Sequence, residues 1–581
     1  MSPWPKNCFL PTEEASSLHK ARRYAVPRRM IERATERRLA GDWRGALAAA
    51  HVEPAFDLAE VATAYGPVVA GALASDLRHL VPDLVHWHVP RALGGRSTVA
   101  TGRTVVLAGY GNGSGLPLAP YLHLSTPPMF DGPQGLVLRF GAVPDEGAPG
   151  VFGARTEDWR AERWLWDARH TARLREAVGA AGRIPFLRHD GTPLSSRELA
   201  AADDAGARAE RVTLLHQEGR VSEAFAAAGV DWDPALPEAQ RSWRGLDVEE
   251  NIRRMALDIP RLGPAVRRAT ATGGGERFLV AMSWRAHLLL DITEHRTGGR
   301  LRARVVERET PGAASAARLP EAAWRRLPDL DLLRSGAMPP QWLHPLVARA
   351  LFPAVEGPFG PPGPPAPRPV RVRCRGEWHE VVFRDGALRS PHTDEERQRE
   401  SALRAFGGAV AGCFAVEHSC TSGTGRLPKA LRAQVRELFL HAQHGDTTAV
   451  LAMLDAGVDL RVKDARKRGL LHVLPLLDHE ALLPRLLEAG LDLEARDHME
   501  RTPLGVAVGE RGSAALVRAL LDAGARTDVT DATELSLSQT IRRYKRTDLA
   551  FLRERVEAEH PGIGSAWYDK WFQEDAEDEE Q

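Results

Sequence analysis

The sequence predicts a multidomain protein in which an N-terminal α+β region, built from two related modules, precedes a C-terminal all-α solenoid. Three observations lead to this fold class. A unit of 33 residues returns three times between Arg436 and Val556. Short strand-like segments separated by Gly- and Pro-rich loops occupy the N-terminal half. One helical block of that half returns after 178 residues.

A chain of 581 residues is too long for a single hydrophobic core, so several domains are expected. The composition and the repeats suggest five segments. These are a loosely held leader (1–24), α+β module A (25–200), α+β module B (201–427), the C-terminal repeats with a degenerate cap (428–558) and an acidic, disordered tail (559–581).

Charge and cysteine content restrict the environment of the protein. Lys+Arg and Asp+Glu both number 77, so no net field favours nucleic acid or a membrane surface. No apolar run reaches the length of about 18 residues that a membrane span needs, and the N-terminus lacks the pattern of a secretory signal. Four cysteines are too few to stabilise so large a protein by disulfide bonds, which favours a reducing compartment. We expect a cytoplasmic protein without nucleic-acid or membrane partners.

The duplication within the N-terminal region rests on one gapless block. GDWRGALAAAHV (41–52) aligns with GRVSEAFAAAGV (219–230), and strand-like RTVVLAGYG and GLVLRFGAV have counterparts in ERFLVAMSW and LRARVVERE. Chance similarity among alanine-rich helices is the alternative. Within module A, VPDLVHWHVPR is interpreted as extended and TEDWRAERWLWDARHTARLREAVG as a helix. The proline-rich residues 357–369 are interpreted as a spacer, with an SH3-type ligand as the alternative.

Motifs that carry chemistry are absent from the sequence. There is no serine elbow, no H-E-x-x-H and no phosphate-binding loop, and the glycine-rich stretch 109–115 lacks the register of a nucleotide site. His86 and His88 lie two residues apart without further ligands at a metal-site spacing. The set closest to a metal site, which lacks the C-x-x-C spacing of a zinc knuckle, is Cys413, His418 and Cys420, with Cys374 as a fourth candidate. We therefore predict no catalytic, cofactor-binding or metal-binding residues.

The C-terminal unit carries a recognisable pattern. Thr502, Pro503, Leu504 and Ala507 stand where the ankyrin repeat has T-P-L-H-x-A, with Gly505 in place of the histidine, and the unit resembles that family. Proline is favourable at the first position of a helix because its missing N–H would be unpaired there. The resemblance implies stacked helix pairs, each with an apolar stripe that only a neighbouring pair can cover. The middle unit departs most, since it places prolines within its helices.

Taken whole, the chain resembles uncharacterised bacterial ankyrin-repeat proteins, and this resemblance implies a fold for the C-terminal part but no activity. The leading hypothesis is an intracellular adaptor that binds another protein through the ankyrin surface. In that family the turn tips and inner helices make the contacts. The charged tips favour a partner with an acidic surface. The alternative is that the tips contact only water and bind no partner. The predicted partner-binding residues are Lys463, Arg466, Lys467, Arg468, Arg496, His498, Met499, Glu500 and Arg501.

Two further functions stay open at this point. The N-terminal modules could form an enzyme or a small-ligand pocket, with the repeats as a targeting element. Such a pocket would be lined by Trp159, Trp164, Trp166 and Trp284. Alternatively, the chain could be a toxin or immunity component in bacterial conflict, which only the combination of repeats with a variable domain suggests.

Overall fold

The computed structural model describes residues 10–111, 119–143, 155–179, 182–235, 248–273, 275–283, 286–292, 300–307, 313, 315–408 and 410–570. The chain forms two compact units. The first contains Met1–Phe130 and Gly135–Pro362, and the second contains Asp131–Gln134 and Gly363–Gln581. The division at residue 362 falls within the proline-rich segment, whereas the boundary predicted at 427 lies inside the second unit. Among the described residues, no helix has the length and apolar character to cross a membrane.

The first unit begins with helix α1 (Thr12–Tyr24) and then uses a similar order of elements twice. The first copy contains α2 (Arg28–Leu39), α3 (Trp43–Ala49), β1 (Val52–Pro54), α4 (Leu58–Tyr65), α5 (Pro67–His79), α6 (Pro82–His88), β2 (Arg103–Gly109), β3 (Tyr121–Ser125), β4 (Leu136–Gly141) and β5 (Arg155–Asp158). Two 3-10 turns (Arg163–Leu165 and Thr171–Arg173) and helices α7 (Leu174–Ala177) and α8 (Ser196–Ala201) follow.

The second copy contains α9 (Ala205–Gln217), α10 (Val221–Ala227), β6 (Val230–Asp233), α11 (Val248–Arg254), α12 (Ile259–Ala271), β7 (Arg277–Ala281), β8 (Ala286–Ile292), β9 (Leu301–Glu307) and β10 (Ala317–Arg318). The unit ends with α13 (Glu321–Trp324), α14 (Pro328–Arg334), a 3-10 turn (Pro340–Trp342) and α15 (Pro345–Leu351).

The two five-stranded sheets have the same topology. Their strand orders are β1-β4-β3-β2-β5 and β6-β9-β8-β7-β10. In both sheets the two outer pairs are parallel and the two inner pairs are antiparallel. Val52 lies opposite Leu136 in the first sheet, and Val230 lies opposite Leu301 in the second. The two copies therefore share their strand order and pairing, although the first copy has one additional helix, α6, before its second strand.

The predicted fold class is wrong. The N-terminal region is mixed α/β, because each sheet combines parallel and antiparallel pairs, and the C-terminal region is not an all-α solenoid, because its unit includes a three-stranded sheet. The parallel outer strands β1, β5 and β10 have three, four and two residues, which is too short to show a period of two in the sequence.

Three local expectations also differ from the structure. Residues predicted as a leader form α1, whose Ala15, Leu18 and Ala21 are buried. The segment predicted as extended forms α6, which Pro82 opens at its first turn. The tryptophan-rich segment predicted as one helix forms most of β5, two 3-10 turns and the four-residue helix α7, and its bulky rings are buried in the core of the first unit.

The second unit begins with β11 (Val370–Cys374), β12 (Glu377–Arg384) and β13 (Ala387–Arg389), which form an antiparallel sheet in that order. Helices α16 (Asp394–Ala405), α17 (Gly412–Ser422), α18 (Lys429–Gln443), α19 (Thr447–Asp455), α20 (His479–Glu488), α21 (Pro503–Gly509), α22 (Ala514–Asp522), α23 (Leu537–Arg543) and α24 (Ala550–Glu559) follow. Two 3-10 segments, Leu470–Leu476 and Thr547–Leu549, replace helical turns. One hydrophobic core joins the sheet to the helices.

A buried ion pair joins the two ends of the first unit. The Arg22 guanidinium on α1 donates two hydrogen bonds of 2.9 Å to the Asp329 carboxylate on α14, and the Trp87 indole N–H donates to the same carboxylate at 3.1 Å. The side chains of Arg22 and Asp329 are 4% and 0% exposed. Such a pair is costly to break, because the remaining charge stays buried without its partner.

We predict that Asp329→Ala destabilises the first unit by about 3–5 kcal/mol, because it leaves the Arg22 guanidinium and the Trp87 N–H unpaired. Urea unfolding followed by tryptophan fluorescence measures the change. Glu223→Ala is the matched control, since it removes a carboxylate from a solvent-exposed pair with Arg220 and is expected to change the stability far less. Equal losses of stability in the two variants would contradict a special role for the buried Arg22–Asp329 pair.

Candidate functional site

The turn between α20 and α21 folds around the carboxylate of Asp497, which is 1% exposed. Its Oδ1 accepts hydrogen bonds from the backbone N–H groups of Met499 (2.8 Å) and Arg501 (3.0 Å), and its Oδ2 accepts from the Arg501 guanidinium at 2.8 and 3.0 Å. Burial acts to raise the pKa of this carboxyl, but the hydrogen bonds from Arg501 outweigh it and hold the pKa below its ordinary value. The carboxylate therefore fixes the backbone of the turn.

The same turn occurs at two further positions. In each, an aspartate accepts backbone hydrogen bonds from the residues two and four positions later, and the residue between them has a left-handed backbone. One copy uses Asp464, Arg466, Lys467 and Arg468, and the other uses Asp531, Thr533, Glu534 and Leu535. We call the segments 464–468, 497–501 and 531–535 the loop tips.

Adjacent loop tips are hydrogen-bonded to each other. The His498 N–H donates to the Arg466 carbonyl at 2.9 Å, and the Ala532 N–H donates to the Met499 carbonyl at 2.8 Å. Each tip is thus held both by its own aspartate and by the backbone of its neighbour. The three tips form one continuous row with a defined backbone.

The structure places the nine predicted partner-binding residues on or beside the first two loop tips. Six of them are exposed: Arg466, Lys467, Arg496, His498, Met499 and Glu500. Lys463, Arg468 and Arg501 are half-buried. Arg468 and Arg501 donate to Asp464 and Asp497 within their own tips, so their guanidinium groups stabilise the loops.

A groove of about 250 Å³ lies between the last two loop tips and helices α21 and α23. Met499 is at its rim with 37% of its surface exposed, and Tyr544 and Arg543 contribute from the end of α23. Two glycines of α21, Gly505 and Gly509, leave its floor open. The sequence predicts contacts by Met499 and by inner helices in general, but it does not identify Gly509, Arg543 or Tyr544. The signal for them was Gly505, which replaces a large side chain of the repeat pattern.

We predict that Asp497→Asn lowers the hydrogen-exchange protection of the Met499 and Arg501 amides about 10- to 100-fold at neutral pH, since a charged acceptor is lost. The depressed pKa means that the contribution of Asp497 is present above its ordinary pKa of about 3.9 and is lost as the pH falls through the lower folded value. The difference between native and variant chains should therefore shrink between about pH 6 and about pH 3.

Asp455→Asn is the control for this measurement, because Asp455 is an exposed aspartate paired with Arg485 in the same unit. It should leave the protection of the loop-tip amides unchanged at both pH values. If Asp497→Asn also leaves them unchanged, the carboxylate does not hold the turn.

A second group of side chains meets at the start of the second unit. Cys374 ends β11, and His379 lies on β12 after a tight turn in which Arg375 and Gly376 have φ values of 52° and 93°. This two-residue turn with positive φ at both positions is the kind that matches the twist of a β-hairpin. It brings the thiol of Cys374 and the imidazole of His379 to the same end of the sheet.

His392 and Cys413 complete the group from two other segments. His392 precedes the N-cap of α16, and Cys413 is the second residue of α17. Gly412, with φ of 63°, allows α17 to approach the sheet, because a Cβ there would lie only 2.9 Å from the Cα of Cys374. The ligating atoms of the four side chains all lie within 4.8 Å of one another. We call Cys374, His379, His392 and Cys413 the Cys-His cluster.

Burial and the neighbouring Cys374 raise the pKa of the Cys413 thiol to about 12. Without a cation, the Cys413 thiol therefore stays protonated, whereas a bound metal ion deprotonates a coordinating thiol outright. The donor set of two sulfurs and two imidazole nitrogens suits Zn²⁺.

The sequence groups Cys374 and Cys413 with His418 and Cys420 instead of His379 and His392, and it predicts no metal. His418 lies outside the cluster, and its Nδ1 is 2.7 Å from the Arg404 guanidinium. Cys420 lies seven residues after Cys413 on the same helix, which places it about 10 Å away along the axis. The usable signal was the pair Cys374 and His379 on either side of a tight hairpin turn. His86, on α6, is a core residue whose pKa burial lowers to about 3.

Neither a protein-family model nor a curated protein matches this chain.

Proposed function

We propose that the protein is an adaptor that binds a partner protein through the row of loop tips and the adjoining groove of its second unit. The observation that supports this proposal is the groove of about 250 Å³ beside a row of turns whose backbone is already ordered. An ordered surface loses little conformational entropy on binding, which favours affinity. The resemblance of the helix pairs to ankyrin repeats is consistent with the same use.

The side chains of the groove suggest what it binds. Met499 and Tyr544 offer apolar and aromatic surface, and a methionine adapts its shape to different partners. Arg543 is exposed at the groove, and Arg466 and Lys467 are exposed farther along the row. A segment with an apolar anchor followed by acidic residues would complement this surface.

The alternative of a small-ligand site in the first unit receives less support. Trp159, Trp164 and Trp166 are at most 3% exposed and belong to the core, while Trp284 lies outside the described residues. A cavity beside Trp87 and Trp159 has a volume of about 50 Å³. Ligand pockets usually measure about 300–1,000 Å³. A role in bacterial conflict gains no supporting observation from the described residues.

We predict that the double substitution Met499→Asp and Arg543→Glu reduces partner recovery at least about tenfold, because it removes the apolar anchor and reverses a charge at the groove. The measurement is quantitative mass spectrometry of proteins captured by the tagged full-length chain. Leu403→Asp combined with Arg432→Glu is the matched control, since both residues are exposed on other helices of the same unit.

The control should retain the proteins that the native chain captures. If the groove variant also retains all of them, the groove and tips are not the binding surface. Circular dichroism of each variant establishes that the helices remain folded.

A further inference from the structure

The spacing of the atoms in the Cys-His cluster matches the edges of a metal tetrahedron. For Zn–S of about 2.3 Å and Zn–N of about 2.0 Å, tetrahedral ligand atoms lie about 3.3 Å apart for two nitrogens and about 3.5 Å apart for sulfur and nitrogen. The observed distances are 3.2 Å between His379 Nδ1 and His392 Nε2, 3.5 Å between Cys374 Sγ and His392 Nε2, and 3.6 Å between Cys413 Sγ and His379 Nδ1. These three distances thus match tetrahedral edges, and all four donor atoms lie within 4.8 Å of one another.

We infer that Cys374, His379, His392 and Cys413 bind one Zn²⁺ ion in a closed tetrahedral site. Two thiolates and two imidazoles form a donor set typical of structural zinc. All four positions come from the protein, and Cys374, His392 and Cys413 are buried while His379 is half-buried. A site without an open position holds structure together and does not activate a water molecule.

The ring orientation of His392 is fixed from its far side. Its Nδ1 lies 3.2 Å from the Glu396 carboxylate, which leaves Nε2 facing the cluster. The same carboxylate accepts the backbone N–H of Thr393 at 3.0 Å, so the capping of α16 also positions Glu396. A carboxylate behind a histidine ligand is a common feature of zinc sites and raises the basicity of the ligand. Glu396 is thus a positioning residue for this metal site.

The ion connects three segments that are distant in sequence. It joins the β11–β12 hairpin, the residue before α16 and the first turn of α17. Valines and aromatics of the sheet share one core with α18, including Val372, Val381, Phe383, Leu431, Val435 and Leu438. Zinc therefore ties the sheet, which shares a core with α18, to the first turn of α17.

The first test is the metal content of the full-length chain, purified without chelators and measured by inductively coupled plasma mass spectrometry. We expect about one zinc per chain, and less than about a tenth of that for Cys413→Ser and His392→Ala. Cys420→Ser and His418→Ala are the matched controls, since they remove a buried thiol and an imidazole of α17 outside the cluster. Both should retain the zinc.

Glu396→Gln tests the positioning role separately. It should still bind zinc, with an affinity about 10- to 100-fold lower in competition with a chromogenic chelator. An unchanged affinity would remove Glu396 from the site.

Because a ligand substitution can prevent folding, a second measurement uses the native chain. Replacement of zinc by Co²⁺ should give the visible absorption and sulfur-to-cobalt charge-transfer bands of a tetrahedral thiolate site. Iodoacetamide should label Cys374 and Cys413 only after a chelator has removed the metal. A chain without zinc or cobalt bands, a disulfide between these two cysteines, or loss of metal in the Cys420 and His418 controls would overturn the inference.

Discussion

The second unit depends on covering the apolar face of its first helix pair. Leu431, Leu438 and Val450 of α18 and α19 are buried, and a helix pair cannot hide such residues from water by itself. Along the row, each pair covers the next. At the beginning of the row, the three-stranded sheet shares one core with this pair, to which the sheet contributes Val381 and Phe383. Hydrophobic burial therefore determines where the sheet lies.

The sheet needs support of its own. Its strands have five, eight and three residues, and small sheets are marginal unless they pack against something or are cross-linked. The hairpin turn after β12 approaches the helix row closely, since a Cβ at Gly457 would lie 2.8 Å from the Cα of Arg384. The Cys-His cluster supplies a second attachment at the opposite end of β12. The proposed zinc ion and the core thus act on the two ends of one strand.

Part of this architecture follows from the sequence. Helix α21 begins at Pro503, as the T-P-L triplet indicated, and Thr502 caps it by accepting the Gly505 N–H. Strands β2 and β4 lie within the segments that alternation and loop composition marked. These features depend on the local conformational preferences of the backbone, which neighbouring residues in the sequence determine. The short parallel edge strands form only because partners distant in the sequence pair with them, so the sequence pattern does not predict them.

The candidate sites illustrate the same division. The exposed residues of the loop tips can be predicted from the sequence, because a local repeat determines their positions. The hydrogen bonds of Arg501 to Asp497 of its own tip cannot be predicted in this way. The Cys-His cluster requires three segments to converge. The sequence pairs Cys413 with Cys374 but adds His418 and Cys420 of the same helix in place of the two histidines from other segments. Helix geometry excludes that grouping, because two turns separate Cys413 from Cys420.

X-ray absorption spectroscopy at the zinc edge of the purified full-length chain tests the account most directly, since it reads the identity and distance of the ligands without any substitution. The account predicts two sulfur neighbours at about 2.3 Å and two nitrogen neighbours at about 2.0–2.1 Å, with no water in the shell. A shell of oxygen and nitrogen alone, or the absence of zinc from the protein, would contradict it.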